Sequence, residues 1–278
     1  MPTHDYGRAT EEAIATVVTA CERHGARSII ALAGVPGTGK SFVASIAAQR
    51  FAGEPLRVRE VQFHQSFSYE EFIEGLRIDD SAGVSVVPGI FLDWNQRALD
   101  DPNQQYVLLV EEFTRANLAS VLGELLTYIE HRNRPFVSVY SRRPIYVAKN
   151  LAVIATYNPT DRTAIELDNA LLRRLRIVRF KPCVKQLKEM LDDRVANGVI
   201  EQLQKLFAKC EGQFPDYEYM MPFGHGVFAD IRGETPDLHL LWKERLEHML
   251  RRPMIDPHPY TDTIQSLFPW RDPAYTTP

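Results

Sequence analysis

The sequence predicts a three-layer α/β domain with a parallel sheet, followed by a smaller all-α domain. Short apolar runs such as 28–33 and 106–110 do not alternate with polar residues, which is typical of buried parallel strands. Segments with apolar residues at helical spacing lie between these runs. From residue 184 to residue 252 the pattern is helical. The chain has 278 residues, 45% of them hydrophobic, and is long enough for both domains.

The elements of the first domain follow in order from their periodicity and end signals. A first helix ends at Gly25, Ser68 and Glu71 form a capping box that opens a short helix, and Asn117 can cap a longer one. Strands are expected at 28–33, 57–64, 106–110, 151–156 and 176–180. Helices are expected at 12–24, from 40 onward, and at 70–76, 92–99, 117–130 and 165–173, with hairpins at 83–91 and 136–147.

Four segments are predicted from this pattern. They are an N-terminal helix over 1–24, the α/β domain over 25–183, a helical lid over 184–255 and a proline-rich tail over 256–278. Prolines break regular elements in the tail. We therefore expect the tail to be extended and ordered only where Phe268 and Trp270 find a groove.

Composition argues against several classes of protein. The net charge is −4, so no overall basic field would draw the chain onto DNA or an anionic membrane. The three cysteines are far apart and form no Cys-x2-Cys pair, which predicts free thiols in a reducing cytosol and argues against zinc. No apolar run approaches the roughly 20 residues of a membrane span, and the polar N-terminus lacks a signal-peptide core. We therefore expect a cytoplasmic protein.

The segment 34–41, Gly-Val-Pro-Gly-Thr-Gly-Lys-Ser, is a complete phosphate-binding loop between the first strand and a helix. Its glycines let backbone N–H groups turn around an anion at the helix N-terminus. Lys40 is expected to reach the β- and γ-phosphates, and the Ser41 hydroxyl to ligate Mg²⁺. The sequence thus predicts a nucleoside triphosphate site at Gly34, Pro36, Gly37, Thr38, Gly39, Lys40 and Ser41.

Two acids end the third strand, in the run Leu-Leu-Val-Glu-Glu at 108–112. The run resembles the second acidic motif of phosphate-loop NTPases, which we expect on the strand adjacent to the loop strand. There Glu111 would hold Mg²⁺ through water, and Glu112 would polarise the attacking water. The alternative is that both acids are ordinary residues at a helix entry.

Two further polar features follow the acids. Asn158, directly after the fourth strand, would lie level with Glu112 on the neighbouring strand and orient the lytic water; the alternative is a turn residue before proline. Arg173 and Arg174 end the helix before the fifth strand. They either meet the helix dipole or supply an arginine finger to a neighbouring subunit of a ring.

The order of these motifs resembles an AAA+ ATPase: phosphate loop, acidic strand end, Asn sensor, paired arginines and helical lid. Four segments are similar to the McrB family within the MoxR/McrB-like clade, the GTPase subunits of modified-cytosine-specific restriction systems. They are 61–75, 115–118, 158–162 (Asn-Pro-Thr-Asp-Arg, where the family has Asn-Thr-Ala-Asp-Arg) and 224–228 (Gly-His-Gly-Val-Phe, where the family has Gly-His-Ser-x-Phe). The similarity covers roughly residues 25–250.

This resemblance implies a hexameric or open ring with nucleotide between subunits, and Mg²⁺ as cofactor. Hydrolysis would be stimulated by a separately encoded McrC-like protein that threads the ring and carries or recruits a nuclease. Asp161 and Arg162 would face the neighbouring nucleotide or relay to that stimulator, and His225 would bring the lid onto the nucleotide. The resemblance points to GTP, whereas most AAA+ proteins use ATP. DNA would be reached only indirectly, because we expect no DNA-recognition domain ahead of the motor.

The chain departs from the family at two points. Glu111 stands where the family has Asp, and Pro159-Thr160 replaces Thr-Ala. The longer Glu111 side chain is expected to slow hydrolysis or to require a partner. Two alternatives to a motor of restriction or antiviral defence therefore remain: a MoxR- or CbbQ-type chaperone that remodels a partner protein, or a slow hydrolyser in which nucleotide only controls assembly. The segment 63–69, Phe-His-Gln-Ser-Phe-Ser-Tyr, favours the defence motor.

Overall fold

The computed structural model of the chain describes residues 6–78, 83–159, 161, 167–191, 197–213, 223–231, 237–250 and 268–274. The chain divides into two compact units. One consists of Glu12–Ala33 and Lys40–Arg179, and the other of Met1–Glu11, Gly34–Gly39 and Phe180–Pro278. Within the described ranges, no helix has the length and apolar character needed to cross a membrane.

Strands and helices are interspersed along the chain up to residue 179. In order, the elements are α1 (Arg8–His24), β1 (Ile29–Ala33), α2 (Lys40–Ala52), β2 (Val58–Gln62), α3 (Tyr69–Phe72), β3 (Glu74–Ile78), β4 (Val84–Pro88), α4 (Ile90–Asp100), β5 (Tyr106–Glu111), α5 (Leu118–Leu122), α6 (Leu125–Tyr128), β6 (Phe136–Val137), β7 (Pro144–Ile145), β8 (Leu151–Tyr157), α7 (Asn169–Leu172) and β9 (Leu175–Arg179).

Five of these strands form a parallel sheet in the order β2-β5-β8-β1-β9. Every residue of β1 and of β8 is buried, as expected of parallel strands covered on both faces. The predicted α/β class with a parallel sheet is therefore confirmed. Because the strands are parallel, their carboxyl ends meet at one edge of the sheet, where a ligand of such a fold binds.

The strand order corrects one prediction about the acidic motif. β8 lies between β1 and β5, so the expectation that the acidic strand adjoins the loop strand is wrong. The central strands β1, β5 and β8 share one apolar pattern. A crossover can pass over an intervening strand, so periodicity does not encode the strand order. The other predicted adjacency is confirmed: β5 pairs with β8, with Val110 opposite Ala155.

Three predicted helices are shorter than expected within the described residues. The capping box of Ser68 and Glu71 is present, but α3 makes a single turn and the chain then forms β3, which pairs with β4 as an antiparallel hairpin. The predicted helix 117–130 is interrupted at Gly123, whose φ is 47°. A Cβ atom at Gly123 would lie 2.7 Å from the Tyr69 ring, so a packing contact from another element breaks the helix. The predicted helix 165–173 is helical only over Asn169–Leu172, because the Asp168 side chain caps its start by accepting from the Leu171 N–H; residues 165 and 166 lie outside the described residues.

A buried arginine joins three separate segments beneath the sheet. Arg132 donates to the carbonyl oxygens of Ala148 and Leu151, both at 2.6 Å, and of Gly25 at 2.8 Å. It also donates to Ile129 O at 3.2 Å. Burial lowers the pKa of Arg132 from its usual 12.5 to about 10, so the side chain stays charged at neutral pH. The guanidinium thus satisfies four carbonyl groups that would otherwise be buried without partners.

The second unit is helical where it is described beyond residue 183. It contains α8 (Val184–Leu191), α9 (Asn197–Gln213), a 3₁₀ turn (His225–Phe228), α10 (Leu238–Leu241), a π-helical turn (Trp242–Leu246), α11 (Glu247–Leu250) and a 3₁₀ turn (Pro269–Arg271). Phe268 and Trp270 are buried in the apolar cluster of these helices, and the Phe268 ring lies 5.2 Å from the Trp242 ring. The predicted groove for the two aromatic residues is thus present.

Candidate nucleotide-binding site

The phosphate loop adopts a tight backbone that glycine makes possible. Gly37 and Gly39 have φ angles of 76° and 80°, a left-handed region that side chains other than glycine rarely enter. Between them, the buried Thr38 turns its hydroxyl inward and donates to Val35 O at 2.9 Å. The loop is therefore held by its own side chain as well as by its glycines.

A second loop packs against the phosphate loop within the same compact unit. The backbone N–H of Gly224 donates to Pro36 O, and that of Gly226 donates to Gly37 O, both at 2.7 Å. A Cβ atom at Gly224 would lie 2.5 Å from Gly37 O, so a side chain does not fit there. The predicted lid motif is thus hydrogen-bonded to the phosphate loop through main-chain atoms.

His225 lies between these two glycines and beside the phosphate loop. Its Nδ1 accepts a hydrogen bond from the Cys183 backbone N–H at 3.1 Å, which assigns the proton of the neutral ring to Nε2. A methyl group built on Gly39 would lie 3.7 Å from Nε2, so this donor faces the loop. Burial lowers the pKa of His225 to about 4, and the ring is neutral at physiological pH.

Lys40 opens α2 directly after the loop. Burial lowers the pKa of its ammonium group from 10.5 to about 8, and the nearby charges of Glu112 and Glu111 oppose this shift. The two predicted acids therefore lie close enough to Lys40 to interact with it electrostatically. Desolvation outweighs the influence of both acids, so a further negative charge beside the ammonium group would raise its pKa.

Ser41 and Glu111, the two predicted Mg²⁺ ligands, are brought together by the sheet. The Ser41 hydroxyl donates to Glu111 Oε2 at 2.9 Å. The Thr156 hydroxyl, on the neighbouring strand β8, donates to the same carboxylate oxygen. Two hydroxyl groups and one carboxylate thus converge at the carboxyl ends of β5 and β8, and hard oxygen donors of this kind suit Mg²⁺.

Glu112 has the least usual backbone conformation of the predicted catalytic residues. Its φ and ψ angles are 54° and 41°, and it precedes a 3₁₀ turn over Phe113–Arg115. Its Oε2 lies 3.0 Å from Arg115 Nε, and Arg115 Nη2 lies 3.4 Å from Asp161 Oδ2. Glu112 and Asp161, which the sequence places in separate motifs, are therefore joined by one arginine.

Asn158 follows β8 and is half-buried. Continuing the pairing of Val110 with Ala155 places Glu112 opposite Tyr157, so Asn158 lies one residue beyond the level of Glu112. The backbone N–H of Asp161 donates to Asn158 O at 3.2 Å and closes a turn. Arg162 lies outside the described residues.

The two candidate finger arginines have different surroundings. Both contact Glu130 Oε2, Arg173 through Nη2 at 3.3 Å and Arg174 through Nε at 3.2 Å. The Arg173 side chain is 67% exposed, whereas that of Arg174 is 8% exposed. Arg174 also donates to Ala170 O in α7. Only Arg173 therefore has a side chain that faces solvent.

Sequence reasoning missed two residues of this site. Thr156 was placed only at the end of an apolar strand, and its hydroxyl contact with Glu111 depends on the strand order. Arg115 was noted only within a family-like segment, although its spacing from Glu112 is that of an i,i+3 ion pair. That spacing is a signal that the sequence contains and that could have identified Arg115.

The amino-acid sequence of the chain is similar to known proteins. A sequence model of the AAA domain (dynein-related subfamily) matches residues 29–175, more than half of the chain. The type IV methyl-directed restriction enzyme EcoKMcrB subunit of Escherichia coli (strain K12) is 38% identical over 176 residues, which are 60% of this chain and 38% of that subunit. The type II restriction enzyme BsuMI component YdiS of Bacillus subtilis (strain 168) is 24% identical over 240 residues, which are 68% of this chain and 70% of that protein.

A crystal structure of a putative ATPase from Cytophaga hutchinsonii ATCC 33406 covers 73% of this chain and 68% of the other chain, at 13% sequence identity. Its TM-score is 0.40, which is too low to support an argument about the fold. The chain spans 38% of the length of the McrB subunit that it matches. The predicted similarity to McrB-like AAA+ proteins is confirmed at the level of sequence. The chain belongs to the AAA domain family, in its dynein-related subfamily.

Proposed function

We propose that the chain is a ring-forming AAA+ nucleoside triphosphatase that serves as the motor or switch subunit of a McrBC-like restriction or antiviral defence system. The observation that carries this proposal is the convergence of Ser41 and Thr156 on Glu111, beside a complete phosphate-loop motif. Similarity to two restriction-system proteins supports the biological setting. The ring, its hexameric stoichiometry, its cytoplasmic location and the separately encoded McrC-like stimulator or nuclease are parts of the same proposal.

Each residue of the site has a proposed role in hydrolysis. Main-chain N–H groups of the loop bind the phosphates, and Lys40 neutralises the β- and γ-phosphate charge. Ser41 and Glu111 hold Mg²⁺, which, when bound, supplies charge neutralisation on the triphosphate. Glu112 accepts the proton of the attacking water, and Asn158 orients that water. His225 brings the lid onto the nucleotide, and Asp161 and Arg162 face the neighbouring nucleotide or relay to the stimulator.

We propose a ring because the exposed side chain of Arg173 does not contribute to the core of its own subunit. Arg173 is exposed, and the ion pair that it makes within the described residues is with Glu130, so we infer that its guanidinium is available to a neighbouring subunit. Surface ion pairs of this kind contribute little to stability, so Arg173 can leave Glu130 for a phosphate with little loss of free energy of folding. Arg174 remains the second candidate, although its burial favours a structural role.

Hydrolysis of ATP and of GTP, measured side by side, tests the enzymatic part of the proposal. Glu112→Gln should bind both Mg²⁺ and triphosphate yet lose about 10²–10³ in turnover, since it removes the general base. Glu201→Gln is the matched control, because Glu201 is an exposed glutamate on α9 paired with Lys205. Unchanged turnover in Glu112→Gln would refute the assignment of the base.

Mixing two inactive variants tests the ring. Lys40→Ala should lose triphosphate binding, and Arg173→Ala should bind nucleotide but hydrolyse it slowly. Mixed rings should regain activity where an intact Lys40 site meets an intact Arg173 from its neighbour. A rate per subunit that neither rises with protein concentration nor recovers on mixing contradicts the ring. A wild-type rate that stays low with the stimulator present would favour the slow-hydrolysing assembly factor.

A further inference from the structure

The carboxylate proposed to activate water is held by a neighbour on its own turn. Glu112 Oε2 lies 3.0 Å from Arg115 Nε, and the backbone N–H of Arg115 donates to Glu112 O at 2.9 Å. Both contacts are made to Glu112, whose backbone is left-handed with a φ of 54°. A side chain other than glycine persists in that region only where its surroundings hold it there. Arg115 provides two of the contacts that do so.

The same guanidinium also contacts the turn that follows β8. Its Nη2 lies 3.4 Å from Oδ2 of Asp161, whose side chain is 16% exposed. Asp161 belongs to the turn that follows β8, and its backbone N–H donates to Asn158 O. One planar side chain therefore connects the end of β5, which bears the base, with the loop that bears the sensor asparagine. Arginine can make both contacts at once because its donors form a fixed fork.

We propose that Arg115 is a positioning residue for hydrolysis, which fixes the Glu112 carboxylate and couples it to the Asn158–Asp161 loop through Asp161. The inference rests on the proposed function, in which Glu112 is the base. An exposed i,i+3 pair alone would contribute little to stability. The contact with Asp161 adds a second anchor, in the turn after β8, which a solvated ion pair does not need. A shift of the sensor loop would therefore move the base.

Kinetics separate positioning from a structural role. Arg115→Ala should lower kcat by about tenfold or more and leave KM within about twofold, because we assign Arg115 to the position of the base and not to phosphate binding. Arg115→Lys keeps the positive charge but not the fork of donors, so its kcat should lie between those of Arg115→Ala and the wild-type protein. Asp161→Asn should lower kcat in the wild-type background and have little further effect in Arg115→Ala, since residues that act as a unit are not additive. Arg97→Ala is the matched control, because Arg97 is an exposed arginine that pairs with Asp93 on α4.

Hydrogen exchange in the nucleotide-free protein provides a readout that does not depend on turnover. Asp161→Asn should speed exchange at the Arg115 amide by about threefold or more, although the two residues lie in turns that follow different strands. Glu112→Gln should do the same, and Arg97→Ala should not. If kcat of Arg115→Ala stays at or above the wild-type value, or if Asp161→Asn leaves exchange at Arg115 unchanged, the coupling is refuted. If the wild-type protein hydrolyses neither ATP nor GTP, the proposed function fails and the exchange result alone decides whether Arg115 couples the two strands.

Discussion

Binding of a triphosphate should be accompanied by proton uptake at Lys40. Burial lowers the pKa of this ammonium group to about 8 in the nucleotide-free protein, against the opposing influence of Glu112 and Glu111. The negative charge of a bound triphosphate would return the pKa toward its usual 10.5. Near pH 9 an amine with a pKa of about 8 is about nine-tenths deprotonated, so binding should take up on the order of 0.9 proton per site. Near pH 7 the uptake should fall to about 0.1 proton.

Calorimetric titration in two buffers of different ionisation enthalpy measures this uptake directly. A slowly hydrolysed triphosphate with Mg²⁺ avoids heat from turnover. Because binding takes up a proton, affinity should fall as the pH rises above about 8, by up to about tenfold per pH unit. Lys40→Arg is the control, since a guanidinium remains charged across this range and should abolish the pH-dependent uptake. Tight binding near pH 9 without proton uptake in the wild-type protein would show that the Lys40 ammonium group is not desolvated.

Three further outcomes follow from the described contacts. His225 has a pKa of about 4 in the folded chain and about 6.5 in the unfolded chain, so the free energy of unfolding should fall by up to about 3 kcal/mol as the pH is lowered from 6.5 to 4. His225→Asn should reduce that loss, measured by denaturant titrations at the two pH values. Arg132→Met should lower the free energy of unfolding by about 3–5 kcal/mol, because four buried carbonyl groups lose their donor, and a loss below about 1 kcal/mol in urea titrations would contradict the structural role. Arg173→Ala should slow hydrolysis with little change in melting temperature, whereas Arg174→Ala should lower the melting temperature, so the reverse result would exchange the two assignments.

Local signals in the sequence predicted those parts of the site that depend on neighbouring residues. The phosphate loop, its flanking strand and helix, and the acids at the end of β5 are encoded within short segments whose residues act on one another directly. The capping box at Ser68 is another such signal, and it is present in the structure. Such features can be predicted because their chemistry is complete within one or two turns of chain.

Features that depend on distant segments were not predictable in the same way. The helix after Ser68 ends early because the chain continues into a hairpin whose partner strand lies beyond residue 83. The helix over 117–130 breaks where Gly123 meets the ring of Tyr69, which comes from another element. The contact of Thr156 with Glu111 exists only because β8 lies next to β5. In each case a tertiary contact, absent from any local pattern, decides the outcome.

Gly224 and Gly226 are bonded to the phosphate loop through main-chain atoms, and this determines which changes in the loop can affect the segment around His225. Backbone N–H groups respond to where the Pro36 and Gly37 carbonyl oxygens lie, and do not distinguish one base from another. A phosphate that tightens or relaxes the loop would move both acceptors together, whether the nucleotide carries adenine or guanine. The segment around His225 is therefore suited to report that the loop is filled, and discrimination between ATP and GTP has to come from residues that reach the base.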